Sequence, residues 1–217
     1  MRRKGKERGC ICMEMKEEQF QDKPLRLFVA VRIPESIQLL LEAWRLRNED
    51  QLAFKKWTHL EDYHITVQFL GDAEAGRVPE ITDALKRASL KINPFDLEFG
   101  SFGTFGTAEA PRVLWAGVID QSGGLDKIYE AVTSEMGELG FAKEARPYRP
   151  HVTIARKYAG KSPFPGQNLP LLTEKNSGSG GTAEPLIWEV NEFVLFSTHL
   201  HEKPMYEILE AVQMKDS

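Results

Sequence analysis

The chain has 217 residues and a formal net charge of −4, with 28% charged and 41% hydrophobic residues. That length can bury a sizeable core as one large domain or two small lobes. The acidic balance excludes a protein that tracks long duplexes with its whole surface, because phosphate neutralisation supplies most of such affinity. No apolar run reaches the roughly 18 to 20 residues of a membrane span.

Residues 1–23 are rich in charge and lack the apolar stretch of a signal peptide, which predicts a flexible charged tail. Cys10 and Cys12 lie in it, and no further cysteine completes a metal site or a disulfide frame. That usage points to a reducing, cytoplasmic setting. The folded part is expected over 24–217.

Leu25 to Ile33 reads as a strand, and Pro34 opens a helix with Ile37, Leu40, Leu41 and Trp44 on one face. A strand over 63–70 follows, stopped by Gly71. A second helix starts near Val78, with Pro79 in its first turn and Ile81, Leu85 and Ala88 on one side. Phe95 to Phe105 reads as a strand or a bulged strand. The order then repeats. Val113 to Ile119 is a strand, and Gly123-Gly124 leads into a helix with the stripe Leu125, Ile128, Val132, Met136 and Leu139, stopped by Gly140. A strand over 151–156 starts behind Pro150. Residues 160–185 are a flexible Gly/Ser/Pro-rich loop, and strands near 188–197 and 205–212 close the chain. The doubled strand–helix–strand order predicts an α+β fold. Its two pseudo-symmetric lobes, each an antiparallel-rich sheet with flanking helices, enclose a central cleft.

The second and fifth strands of this reading carry one phrase twice: His64-Ile65-Thr66-Val67 and His151-Val152-Thr153-Ile154. Side chains alternate along a strand, so each His and Thr project together while the apolar pair faces a core. Two imidazoles and two hydroxyls in one cleft are the equipment for acid–base chemistry on a phosphate ester. An imidazole of pKa near 6.5 serves as base when neutral and as acid when protonated. Thr66 and Thr153 can donate to phosphate oxygens, and the scheme needs no metal and no cofactor. Lys143, Arg146, Arg149, Arg156 and Lys157, opposed only by Glu144, form a local cationic patch suited to a terminal phosphate or a short strand end.

Tyr148, Phe28 and Trp57 are candidates to stack on a base, against the commoner fate of a buried aromatic. His199-Leu200-His201 has the spacing of a strand chelate, but no third ligand is apparent, and surface or loop histidines are the plainer reading. His59 reads as structural or exposed. Arg156 poses a parity problem: five positions after His151, strict alternation turns it away from the cleft. A bulge or a strand end near Ala155 would turn it back.

These residues carry a family resemblance. Arg26 to Val31, Trp57 to Gly71, Leu114 to Gly117, Arg146 to Arg156 and Phe193 to Ser197, in this order, resemble the 2H phosphoesterases. Within that group the chain is similar to the bacterial and archaeal RNA 2′,3′-cyclic phosphodiesterases, also called 2′-5′ RNA ligases. The family often has an aromatic where this chain has Val29. The resemblance implies a bilobal fold with one His-x-Thr motif per lobe. It further implies His64 as general acid, His151 as general base, a phosphate-binding Arg156 and a 2′-phosphate product; the two motifs alone do not fix the order. The substrates so implied are RNA 3′ ends or small cyclic-phosphate nucleotides, handled by a monomer away from any membrane. Other readings of the same groove are another cyclic phosphate, a 2′-5′ linked oligonucleotide including ligation, or an RNA-binding module without catalysis.

Overall fold

Half-buried strands need a partner face, and the chain solves this with one curled sheet covered by helices. The computed structural model describes residues 24–166, 169, 172 and 185–215. The tail expected over 1–23 and most of the later part of the expected loop lie outside the described residues. Among those described, the elements are β1 (Leu25–Arg32), α1 (Glu35–Leu52), β2 (Phe54–Trp57), β3 (His64–Ala73), α2 (Val78–Ser89), β4 (Phe95–Gly106), β5 (Pro111–Ile119), α3 (Gly124–Glu138), β6 (His151–Tyr158), β7 (Ile187–Val190), β8 (Glu192–Thr198) and β9 (Tyr206–Gln213). Short 3-10 turns at Leu60–Asp62 and Ala75–Arg77 precede β3 and α2.

The strands form one sheet in the order β7-β4-β5-β6-β3-β1-β8-β9, with β2 pairing β6, and every pairing is antiparallel. Two halves, β7-β4-β5-β6 with β2 and β3-β1-β8-β9, therefore meet where β6 lies beside β3. Only Asn191 separates β7 from β8, yet they sit six places apart in the order. In a flat sheet that gap is about 29 Å, far beyond the reach of one residue. The sheet has to curl.

One face packs on the helices in a core that runs through both halves, from Leu27, Val29 and Ile65 to Leu97, Leu114 and Val152. Trp44 of α1 stacks on Phe102 of β4 at 4.2 Å, so this helix reaches the second half. Helices α2 and α3 lie side by side, α3 against β3 and α2 against β9. Most of the expected stripe residues are buried, Ile37, Leu41 and Trp44 in α1 and Leu125, Ile128, Val132 and Met136 in α3, while Leu40 and Leu139 are partly buried at the edge of the core.

Several boundaries differ from the sequence reading. Gly71 does not stop β3. It takes φ 77 beside a bulge at which Leu27 pairs Gly71 while Phe28 pairs Phe69, and the strand runs on to Ala73. The strand expected near 188–197 is two, because β7 belongs to β4 and β8 to β1. Strand β2 was not expected. In the described start of the expected loop, Phe164 is buried against Phe54 and Tyr158, and its N–H donates to the Glu109 carbonyl at 2.9 Å. No helix among the described residues is long and apolar enough to cross a membrane.

Gly103 of β4 lies under the Trp115 ring of β5, where an added Cβ would meet ring carbons at 2.3 Å. Gly103→Ala is expected to displace that ring and cost about 1–3 kcal/mol. Urea denaturation measures it, and an unchanged midpoint would show that the ring yields freely.

Candidate active site

Strands β3 and β6 meet through the opposed pair Ile65 and Val152, which are 0% and 2% exposed. Antiparallel neighbours run in opposite senses, so His64 lies across from Thr153, and Thr66 across from His151. The buried pair faces the core. Alternation turns the four flanking polar side chains to the opposite face, around a local twofold through that pair.

Each imidazole is tied by the same device. Nδ1 of His64 lies 2.7 Å from the carbonyl of Asp62, and Nδ1 of His151 lies 2.7 Å from the carbonyl of Arg149. A carbonyl only accepts, so both rings carry the proton on Nδ1 and leave the Nε2 lone pair for chemistry. Nε2 of His64 is 3.1 Å from the Thr66 hydroxyl.

Aromatic walls flank both rings. Phe28 stands 5.0 Å from His64 and Tyr206 meets it edge-on at 5.1 Å, with Phe196 behind them. Phe28, Ala30, Val194 and Phe196 form a cluster of their own on this face, separate from the main core. On the other side Phe105 meets His151 edge-on at 5.0 Å, and Trp115 leans on Phe105. Burial disfavours the charged ring and pushes His64 down to about 4, with the Arg156 cation and His151 adding to the shift against the Asp62 carbonyl. His151 is lowered too, by burial first and by Arg156 second. Both imidazoles are therefore neutral at pH 7 in the free protein.

Arg156 does reach the cleft face. Leu114 pairs Ala155 while Trp115 pairs Thr153, which leaves Ile154 as an extra residue in β6. Ile154 and Ala155 are both buried, the parity reverses, and the Arg156 Nη2 donates to the Thr153 hydroxyl at 3.4 Å. Its charge is felt by both histidines and by Tyr206.

The other sequence candidates fall elsewhere. Tyr148 lies flat on Tyr129 of α3 at 4.3 Å, in the helix layer rather than beside the histidines. Arg149 is exposed, and its carbonyl, not its guanidinium, serves His151. Within the cationic patch, Arg146 pairs Glu144 at 3.0 Å, and Lys143 lies over the Tyr129 ring. Trp57 packs edge-on to Phe54 on the core side, and His59 caps the 3-10 turn before β3. His199 pairs with Glu207 at 2.7 Å, and no cluster of three potential metal ligands occurs among the described residues. Val29 points into the core; the cleft-face aromatic of β1 is its neighbour Phe28. The sequence reading missed Asp62, Phe105, Trp115, Phe196 and Tyr206 as neighbours of the histidines. Asp62 sits two before the first His, a local cue, whereas Phe196 and Tyr206 come close only through the pairing of β1, β8 and β9.

Two His–Thr pairs disposed about one twofold, on a curled antiparallel sheet of two halves, are the arrangement that the resemblance to the 2H phosphoesterases implies. The chain belongs to the 2′-5′ RNA ligase superfamily, whose family model matches residues 33–202. It is 34% identical over 188 residues to the RNA 2′,3′-cyclic phosphodiesterase of Bacillus subtilis, covering 86% of this chain and 95% of that protein. The enzyme of that name from Geobacillus stearothermophilus is 34% identical over 184 residues, covering 85% of this chain and 55% of that longer protein. In fold the chain is similar to E. coli LigT complexed with 3′-AMP, with TM-score 0.67 at 21% identity, covering 89% of this chain and 99% of that one. A Thermus thermophilus protein gives TM-score 0.65 at 24% identity, covering 88% of this chain and 99% of that one.

Imidazole nitrogen NMR tests the electrostatics. Burial opposes protonation, so His64 is expected to gain its proton only near pH 4, and His151 below 6.5. A His64 midpoint at or above 6.5 would contradict the burial of this ring among Phe28, Phe196 and Tyr206.

Proposed function

We propose that this chain hydrolyses the terminal 2′,3′-cyclic phosphate of RNA to a 2′-phosphate end by two-histidine acid–base catalysis without a metal. The observation that carries this reading is the paired imidazoles, each tautomer set by a carbonyl, with Arg156 within electrostatic reach of both. The family and the names of its relatives supply the substrate class.

The cyclic phosphate binds between the motifs, with the Thr66 and Thr153 hydroxyls and the Arg156 guanidinium on its non-bridging oxygens. Its negative charge favours the protonated form of an adjacent imidazole and so reverses the depression found in the free protein. His64 gains most, because the same charge acts more strongly in a drier site. Nε2 of His151 takes a proton from water as the water oxygen bonds to phosphorus. The bond from phosphorus to the ribose 3′ oxygen breaks, and Nε2–H of His64 protonates that oxygen. The products are a 2′-phosphate and a free 3′ hydroxyl. His151 then returns its proton to solvent, and His64 is reprotonated. Each positioned transfer contributes about 10²–10⁴ in rate.

A short RNA ending in a 2′,3′-cyclic phosphate, incubated in EDTA, tests the scheme. The wild type is expected to give the 2′-phosphate, while His64→Ala and His151→Ala each lose about 10²–10⁴ in kcat. Wild-type rates in either variant would sink the mechanism. Absence of turnover by folded wild type would move the site to another cyclic phosphate or to RNA binding alone. We also place the catalytic unit in residues 24–217, so a chain lacking 1–23 should keep the wild-type kcat and KM in the same assay; loss of turnover would bring the first 23 residues into the functional unit.

A further inference from the structure

The two histidines are tied alike, but the residues that tie them are not alike. At 149 the tethering carbonyl belongs to an exposed arginine, so the task needs no acidic side chain. At 62 it belongs to an aspartate that is 4% exposed. A buried carboxylate is costly unless hydrogen bonds replace its water. Here they come from one place. The Met205 N–H donates to both carboxylate oxygens at 2.9 and 3.0 Å, and the Tyr206 N–H donates to Oδ1 at 3.2 Å.

Those two amides open β9 at the turn of the β8–β9 hairpin, where the His199 N–H donates to the Met205 carbonyl and Thr198 pairs Tyr206. The carboxylate thus pins the hairpin to the entry of the His64 strand, across more than 140 residues of sequence. What it seats is the Tyr206 ring, edge-on to His64 at 5.1 Å and 4.9 Å from Phe28. We propose that Asp62 is a positioning residue: its carbonyl fixes the His64 tautomer, while its carboxylate, through Met205 and Tyr206, closes the aromatic wall that holds the same ring. The inference rests on the two-histidine reading above and adds a group that acts through Tyr206 without touching substrate. Removing the carboxylate leaves the carbonyl in place and frees the wall. His64 can then turn and rehydrate, and a reacting group misplaced by an ångström loses a large part of its rate.

A double-mutant cycle on the full chain tests this with the cyclic-phosphate RNA. Asp62→Ala is expected to lower kcat about tenfold or more with KM within about twofold, because substrate contacts remain while proton-transfer geometry is lost. Asp62→Asn keeps an acceptor oxygen for these amides and should recover much of the loss. Because the effect passes through Tyr206, Asp62→Ala combined with Tyr206→Ala should be no slower than Tyr206→Ala alone. Losses that multiply, or a wild-type kcat in Asp62→Ala, would overturn the proposal. If Asp62→Ala does not fold, Asp62→Leu, which fills the space of the carboxylate without accepting from the two amides, takes its place in the cycle.

Imidazole nitrogen NMR provides a readout independent of turnover. Wild type should show one His64 tautomer with the proton on Nδ1, and Asp62→Ala a mixture; unchanged His64 signals in Asp62→Ala would reject the positioning role. Inactivity of the wild type toward the RNA, with the tautomer shift present, would strike the functional reading and leave the positioning intact.

Discussion

The site depends on one cross-strand pair. Ile65 and Val152 face each other where the two halves of the sheet meet, and both point into the core. Strand period is two, so a slip of one residue on either strand would bury a histidine and expose an aliphatic side chain. The cost of such a slip in lost apolar burial is what holds the register. Because the same pair sits on the local twofold, fixing it sets both His–Thr pairs at once. The core that stabilises the fold thereby aligns the chemistry.

Dryness is the second element of the design, and the halves achieve it differently. His64 is enclosed by Phe28, Phe196 and Tyr206, residues gathered from three strands. His151 stands against Phe105, with Trp115 behind, from the neighbouring hairpin. His64 is held further from protonation than an ordinary imidazole, largely by burial. In the proposed reaction this asymmetry suits the roles. The base has to meet water, and the acid has to guard a proton for a leaving oxygen. Enclosure would be a handicap for an acid acting alone, but an anionic substrate supplies in place the charge that the dry pocket lacks.

Much of this was legible in the sequence, for a physical reason. Alternation and helical period are local, so the two motif strands and the stripes of α1 and α3 follow from neighbours along the chain. The bulge at Ile154 was one of two resolutions open to the sequence: Arg156 had the wrong parity for a cleft residue, and an extra residue, not a strand end near Ala155, removes the conflict. What escaped was non-local. The break at Asn191 exists because successive strands join opposite halves of the sheet, and nothing in Ile187 to Thr198 signals a change of partner. Tyr148 looked like a base-stacking ring from its place near the motif, yet the turn before β6 lays it on Tyr129. Tyr206 lies 142 positions from His64 and is drawn in by β8 and β1.

The departures from twofold symmetry mark features that the sheet itself does not require. Symmetry would supply a cation and a buried carboxylate to each half. Instead one guanidinium, Arg156, acts on both imidazoles, and one carboxylate, Asp62, pins one wall. The Arg156 cation disfavours a proton on either imidazole, so the two rings resist protonation together. In the proposed reaction the negative charge of the substrate phosphate offsets that repulsion at both rings. The aliphatic pair at the axis makes the halves equivalent in position; the wall pinned beside His64 through Asp62 makes them unequal in closure. In the proposed reaction that inequality separates the roles, because the proton donor and the proton acceptor have to differ in protonation state when water attacks.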